Sequence, residues 1–350
     1  MLHAGLDLSR RRLDYCLLGE GSSEPVGFGA VSPDADGLAG LARVVALRHR
    51  GHDGVCAVIE SMNGARFVHD TLERCGWDVQ VADAARVKGF APVACKTDRI
   101  DAWVLAELSR RDMVPAIWLP DFEQRSERQR ARFRLYLVRQ RTSLKNHVHA
   151  QLMAFGHACP VSDLFGARGR ALLARLDFPE PWRSGVLTAV GLIDELERQI
   201  SAIERDLKAL GAEHRYVRRL VTVPGIAWVL GYTIAAEIGD IERFRTPTKL
   251  IGYSGLCPRV YQSGDSDRRG ALTKQGPKYL RWALMEAATN AAKHPLYRQR
   301  YQHTKTRLGK QRGAKVAQVQ LARTLTEAIW HMLTRDQDFA PAGAPLPLAA

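Results

Sequence analysis

Leu2-His3-Ala4-Gly5-Leu6-Asp7-Leu8 reads as a short strand, Arg10-Arg11-Arg12 as a polar turn, and Leu13 to Leu18 as a returning strand. Working outward, residues 36–49 carry Leu38, Leu41, Val44, Val45 and Leu47 at helical spacing. Val55-Cys56-Ala57-Val58-Ile59 is a continuous apolar run that suits a buried central strand, and it ends on Glu60. A helix through Phe67, Val68 and Leu72 and a strand around Val79 to Ala82 follow. In Lys96-Thr97-Asp98-Arg99-Ile100-Asp101, Thr97 is placed to cap a helix whose apolar side is Ile100, Trp103, Val104, Leu105 and Leu108. Strands alternating with helices predict an α/β domain closing near residue 112.

The opening hairpin is of the kind that begins a ribonuclease-H-like sheet. Asp7 and Glu60 stand at strand positions, where a charge is expensive unless paired or bound to metal. Asp98 and Asp101 lie three residues apart on the first turn of their helix. Such first-turn acids can simply complement the helix dipole, each contributing roughly 0.3–1 kcal/mol. Together, however, the four acids can converge at one sheet edge, where mutual repulsion calls for a cation. Oxygen ligands with no His or Cys nearby suit Mg²⁺ or Mn²⁺, and such a site can clamp a phosphodiester.

With 350 residues, a net charge of +14 and a pI near 9.8, the chain exceeds one ordinary domain and favours a polyanionic partner. It has no apolar run long enough to span a membrane and no signal-peptide pattern, so a non-secreted, cytoplasmic protein is expected. Cys16, Cys56, Cys75, Cys95, Cys159 and Cys257 are scattered without a C-x-x-C pair, which argues for free thiols and against a zinc site.

Four stretches are expected: residues 1–115, the acidic α/β domain; 116–215, a basic helix and coiled-coil region; 216–335, a mostly helical third unit; and 336–350, a disordered Pro/Ala-rich tail. Arg125 to Leu152 is one long helix with Arg128, Arg130, Arg132, Arg134, Arg139, Arg141 and Lys145, an excess of one sign that favours phosphate contact. Phe155 to Trp182 reads as irregular. Ile193, Leu196, Ile200, Ile203, Leu207 and Leu210 form a short heptad seam, either an antiparallel hairpin with the basic helix or a dimer contact. Val223-Pro224-Gly225-Ile226-Ala227 resembles a helix-hairpin-helix turn, with Ala227 where a second glycine usually stands. Ser263-Gly264 is expected on a polar loop, with Arg268, Arg269, Lys274, Lys278 and Arg281 nearby to hold a phosphate. Residues 314–334 read as a last amphipathic helix.

The blocks Gly5-Leu6-Asp7-Leu8-Ser9, Ile59-Glu60-Ser61, Arg86-Val87-Lys88 with Lys96 to Ala102, and Val223-Pro224-Gly225 through Ser263-Gly264 to Lys278-Tyr279-Leu280-Arg281 occur in that order. This pattern resembles the DEDD transposases of the IS110 insertion-sequence family, which includes RNA-guided bridge recombinases, and the related pilin-gene DNA invertases. The resemblance runs from about residue 2 to 335. It implies a RuvC-like N-terminal domain with Asp7, Glu60, Asp98 and Asp101 holding Mg²⁺. It also implies a transposase domain in which Ser263 forms a covalent phosphoserine link to DNA. Central helices that mediate dimer contacts, sites composed from domains of different protomers, and a dimer or tetramer on DNA follow from it. So does a structured bridge RNA that pairs with donor and target DNA. Ser61-Met62-Asn63-Gly64 after Glu60 and Ala227 depart from the family's pattern.

Other readings stay open. A metal-dependent nuclease or junction resolvase would use the acids with water and form no adduct. A sugar-kinase-like or chaperone-like ATPase also opens on Gly-Leu-Asp, yet Leu8-Ser9-Arg10 is no glycine-rich phosphate loop. A decayed element product would bind DNA without reacting. Ser254, Ser266, Tyr253 and Tyr261 rival Ser263 as nucleophile.

Overall fold

The computed structural model describes residues 1–49, 54–90, 97–264 and 266–341. Cys95, Lys96 and residues 342–350 lie outside the described residues; the start of the stretch expected as a disordered tail is instead held to the fold, Asp336 pairing with Arg219 at 2.6 Å and Phe339 packing against the core. Contacts divide the chain into two compact units, Met1–Leu119 and Pro120–Ala350.

The first unit runs β1 (Leu2–Leu8), β2 (Leu13–Gly19), β3 (Pro25–Val31), α1 (Ala35–Arg48), β4 (Val55–Glu60), α2 (Ala65–Arg74), β5 (Asp78–Ala82), α3 (Ala84–Phe90) and α4 (Asp98–Arg110). Its sheet order is β3-β2-β1-β4-β5. β1 pairs antiparallel with β2 and parallel with β4, and β4 is parallel to β5, which makes the first unit a mixed α/β domain. Alternation assigns the faces. Leu2, Leu6, Leu8, Leu13, Leu17 and Ile59 pack with Leu38, Leu41, Val68 and Leu72 from α1 and α2. On the other face, Cys16 and Leu18 meet Ala102 and Ala106 of α4, and Val58 meets Val104 and Leu105. Residues 3, 5 and 7 of β1 therefore face α4.

The second unit comprises α5 (Phe122–Ala154), α6 (Ala167–Arg175), α7 (Trp182–Glu213), α8 (Val217–Leu220), α9 (Trp228–Ile238), α10 (Pro247–Tyr253), β6 (Pro258–Ser263), β7 (Ser266–Leu272), α11 (Lys278–Ala291), α12 (Pro295–Arg307) and α13 (Lys310–Arg335). The stretch expected to be irregular contains α6, whose Leu173 joins Val148, Leu152, Leu164, Phe178 and Val186 in a small core. α5 and α7 form an antiparallel hairpin: Arg134 bonds Glu204, while Lys145 lies 3.0 Å from Glu197. The heptad seam thus packs within the chain, with Ile193, Ile200 and Leu207 buried and Leu210 left exposed.

Among the described residues no helix is long and apolar enough to cross a membrane. The described cysteines Cys16, Cys56, Cys75, Cys159 and Cys257 are free.

Glu237 on α9 is fully buried, and Arg132 of α5 donates to it from Nε at 2.7 Å and Nη2 at 2.9 Å. Arg128, also buried, donates to the Ala236 and Glu237 carbonyls at 2.9 and 2.7 Å. Removing one member of a buried ion pair strands the other charge. Glu237→Ala is therefore expected to lower stability by about 3–5 kcal/mol, read as a drop in the urea midpoint. A loss below about 1 kcal/mol would mean that the pair is not what holds α5 on α9.

Candidate active site

Four acids are brought to one end of one sheet face by β1, β4 and α4. Gly5 is the position that makes this possible. A Cβ there would lie 1.8 Å from the Ala102 carbonyl oxygen and 2.4 Å from the Ala106 nitrogen, so α4 rests directly on the β1 backbone. At the far end, His3 Nδ1 and Ser109 Oγ are 2.9 Å apart. α4 therefore runs back along β1, and its first turn, with Asp98 and Asp101, arrives at Asp7. Thr97 caps that turn, its side chain accepting from the Ile100 N–H at 3.3 Å. Glu60 ends β4, one step past the Leu6–Ile59 pairing, and shares its face with Val58.

Electrostatics register the convergence. Asp7's carboxyl is pushed up to about 6, first by burial and then by Asp101, Asp98, Glu60 and Asp14. Among the described residues the side chains are not drawn into a group of three or more His, Cys, Asp or Glu that could hold a metal ion. The acids share a field without forming a finished cage. An all-oxygen set of mutually repelling carboxylates nonetheless fits a hard divalent cation better than a thiophilic one.

Asp14 is the acid that the sequence reading does not single out. It lies directly opposite Asp7 across β1 and β2, on the same face. Its two-residue spacing from Arg12, at the entry to β2, was the available signal.

Ser263 is not on a loop. It is the last residue of β6, opposite Ser266 of β7 in a two-stranded hairpin whose residues are nearly all exposed. Gly264 follows at φ +54°, a turn conformation that favours glycine. Cross-strand pairing puts Ser263, Ser266, Tyr261 and Arg268 on one face of the ribbon and Gln262, Asp267 and Arg269 on the other. Arg269 is already ion-paired with Asp267 at 2.8 Å. Ser263 Oγ has no hydrogen-bond partner among the described residues. Ser254, by contrast, is fully buried and donates to the Ile251 carbonyl at 2.7 Å. Tyr253 lies under the Arg243 guanidinium at 4.3 Å and against Phe244 at 5.2 Å. Ser266 and Tyr261 remain as accessible rivals.

The remaining cations divide. Arg281 donates to the Ser254 carbonyl at 3.3 Å, and burial lowers its pKa, so it braces the hairpin's base. Lys274 is exposed at φ +53°, and its N–H donates to the Gly255 carbonyl at 3.2 Å. Lys278 opens α11 with its ammonium 5.2 Å from the Tyr279 ring.

A model of DEDD transposases of the IS110 type matches residues 4–156, and a model described as the Transposase IS116/IS110/IS902 family matches residues 217–303. These spans include Asp7, Glu60, Asp98 and Asp101 in the first and Ser263 in the second. The chain belongs to the IS110 family of insertion-sequence transposases. It is 28% identical to the transposase of element IS1328 from Yersinia enterocolitica, over 81% of this chain and 84% of that one. It is 26% identical to the transposase of IS1111A from Coxiella burnetii, over 81% and 79% respectively. A probable family 20 transposase of Pseudomonas aeruginosa is 29% identical over 81% of this chain and 85% of its own. The Thermus thermophilus RuvC structure matches 33% of this chain and all of its own length at 15% identity, with a TM-score of 0.23.

One sequence expectation for this transposase changes with the structure, and one turn left open by the sequence is placed. The basic helix is not a free phosphate-binding face: Arg128 and Arg132 dock α5 on α9, and Arg134, Arg141 and Lys145 meet Glu204 and Glu197 of α7. The helix-hairpin-helix-like turn is a packing element. A Cβ on Gly225 (φ +91°) would lie 2.5 Å from both Ala287 O and Ala291 N of α11, so the turn is pressed against that helix.

Proposed function

We propose that this transposase cleaves and rejoins DNA through a covalent phosphoserine intermediate at Ser263, assisted by a divalent cation held by Asp7, Glu60, Asp98 and Asp101, under the guidance of an element-encoded RNA. The observation that carries the serine reading is Ser263's place: accessible, unengaged, at the tip of an exposed ribbon with Arg268 on its own face, while Ser254 is buried and occupied.

In the proposed reaction, Ser263 Oγ attacks a DNA phosphorus, giving its proton to solvent as the P–Oγ bond forms, while the P–O ester bond to the sugar breaks and the departing sugar oxygen takes a proton up from solvent. The departing sugar hydroxyl is later replaced by that of another strand, which reverses the step and restores the serine. The ester keeps the bond energy, so no external energy source is needed. Arg268 neutralises charge on the equatorial phosphate oxygens. The four carboxylates orient the phosphodiester's counter-charge, and Mg²⁺ bound there would polarise a phosphoryl oxygen and stabilise the leaving oxygen.

Arg268 and Arg269 should separate. Arg268→Ala is expected to slow adduct formation by roughly a hundredfold, whereas Arg269→Ala, already neutralised by Asp267, should change it less than about threefold. Single-turnover formation of protein–DNA adduct on each variant measures this. Equal losses would mean that the ribbon has no single working face. RNA guidance is tested by sequencing RNA that co-purifies from cells carrying the flanking DNA. One discrete species mapping beside the gene is expected, and only heterogeneous RNA would point to recognition of DNA by protein alone.

A further inference from the structure

The sheet face that gathers the acids also carries a built cation. Asp14 is 7% exposed and stands directly across from Asp7. Two like charges opposite each other on one face destabilise a strand pair. Arg12 resolves this: its Nε lies 3.1 and 2.9 Å from the two Asp14 oxygens, and Nη2 lies 2.7 Å from Oδ1. The turn that delivers Arg12 is itself fixed, because the Ser9 N–H and Oγ both donate to the Arg12 carbonyl at 2.8 Å.

Neutralising Asp14 uses only one edge of the guanidinium. Arg12's side chain is 62% exposed, and its Nη1 has no partner among the described residues. Its anchor Asp14 shares the sheet face of Asp7, which locates the group beside the acids rather than on the opposite face. A guanidinium clamped by a buried carboxylate through Nε and Nη2, with its third edge open to solvent, is pre-organised for a phosphate oxygen. A face of carboxylates repels a DNA backbone, so a fixed cation at its rim supplies attraction that the acids cannot.

We infer that Arg12 binds a backbone phosphate of the DNA strand lying on the acidic face, and that Asp14 is the positioning residue that holds it there. This rests on the reading of DNA as the substrate of that face. Arg10 and Arg11 share the turn but have no comparable anchor among the described residues.

A charge-neutral pair of substitutions tests the inference. Arg12→Ala with Asp14→Asn removes one positive and one negative charge, so a purely self-neutralising pair predicts no change in electrostatic DNA binding. The full-length protein, with the RNA that co-purifies with it, is titrated by fluorescence anisotropy against a labelled duplex copied from the DNA flanking its gene, in calcium, over a series of salt concentrations. The double variant is expected to bind roughly tenfold more weakly, with a log–log salt slope shallower by about one. Wild-type affinity and slope in the double variant would overturn the inference. Thermal melting checks the fold. Should that variant unfold, Arg12→Met with Asp14→Leu replaces the pair by apolar volume and reads the same slope. A wild-type affinity that ignores calcium would refute the metal reading alone, since the loss at Arg12 would still appear without it.

Discussion

Asp7→Asn is expected to abolish DNA cleavage while making the metal-free protein more stable at neutral pH. Asp7 ionises at about 6 in the fold, against an ordinary value of 3.8, because it is half-buried and faces Asp101, Asp98 and Glu60. A carboxyl raised in this way binds its proton more tightly folded than unfolded. Its favourable contribution is complete below about pH 4 and is lost as pH rises through about 6. Above that, the ionised side chain works against the fold. Asparagine keeps the shape and removes the charge, so the melting temperature at pH 8 should rise by roughly 3–6 °C, and the gain should shrink towards zero near pH 4. Mg²⁺ added to the wild type should narrow the gap, since a bound cation relieves the same repulsion. Cleavage should fall about a thousandfold or more. A variant that is less stable than wild type at pH 8, or that still cleaves, would remove the convergence of the acids from the account.

Ser263→Ala should eliminate the covalent adduct, lowering it at least about a thousandfold, with DNA affinity and melting temperature unchanged. The side chain is exposed and makes no described hydrogen bond, so its removal costs the fold almost nothing. Ser266→Ala and Tyr261→Phe, which alter the accessible neighbours on the same ribbon face, should retain the adduct. Cleavage that persists in Ser263→Ala at the wild-type rate would favour water as nucleophile, with the acids acting alone.

Much of the first unit is legible in the sequence because local signals agree with the tertiary ones. The apolar run Val55 to Ile59, the alternation in Leu2 to Leu8 and the Thr97 cap each specify an element, and the ordering of strands and helices specifies the sheet. β3 escapes because Pro25, Gly27 and Gly29 carry little strand propensity, and it forms an edge that is only half covered. α6 and α12 are short or strongly polar, and their apolar positions are too few to show a period. The ribbon carrying Ser263 reads as a loop because neither face is buried, which leaves no alternation to see. The fate of the basic helix is invisible for another reason. Arg128 and Arg132 find Glu237 more than a hundred residues away, and no local pattern announces such a partner. Among the site residues, the acids follow from chemistry and spacing, whereas the choice of Ser263 rests on family resemblance.

The most direct test of the central claim is to incubate the protein, together with the RNA that co-purifies with it, with its flanking DNA and Mg²⁺, denature, digest the protein, and identify by mass spectrometry the peptide that retains a nucleotide. A phosphodiester remnant on Ser263 is expected, absent when Asp7 is replaced by Asn. Cleaved DNA with no protein-linked end, or a remnant on any other residue, would contradict it.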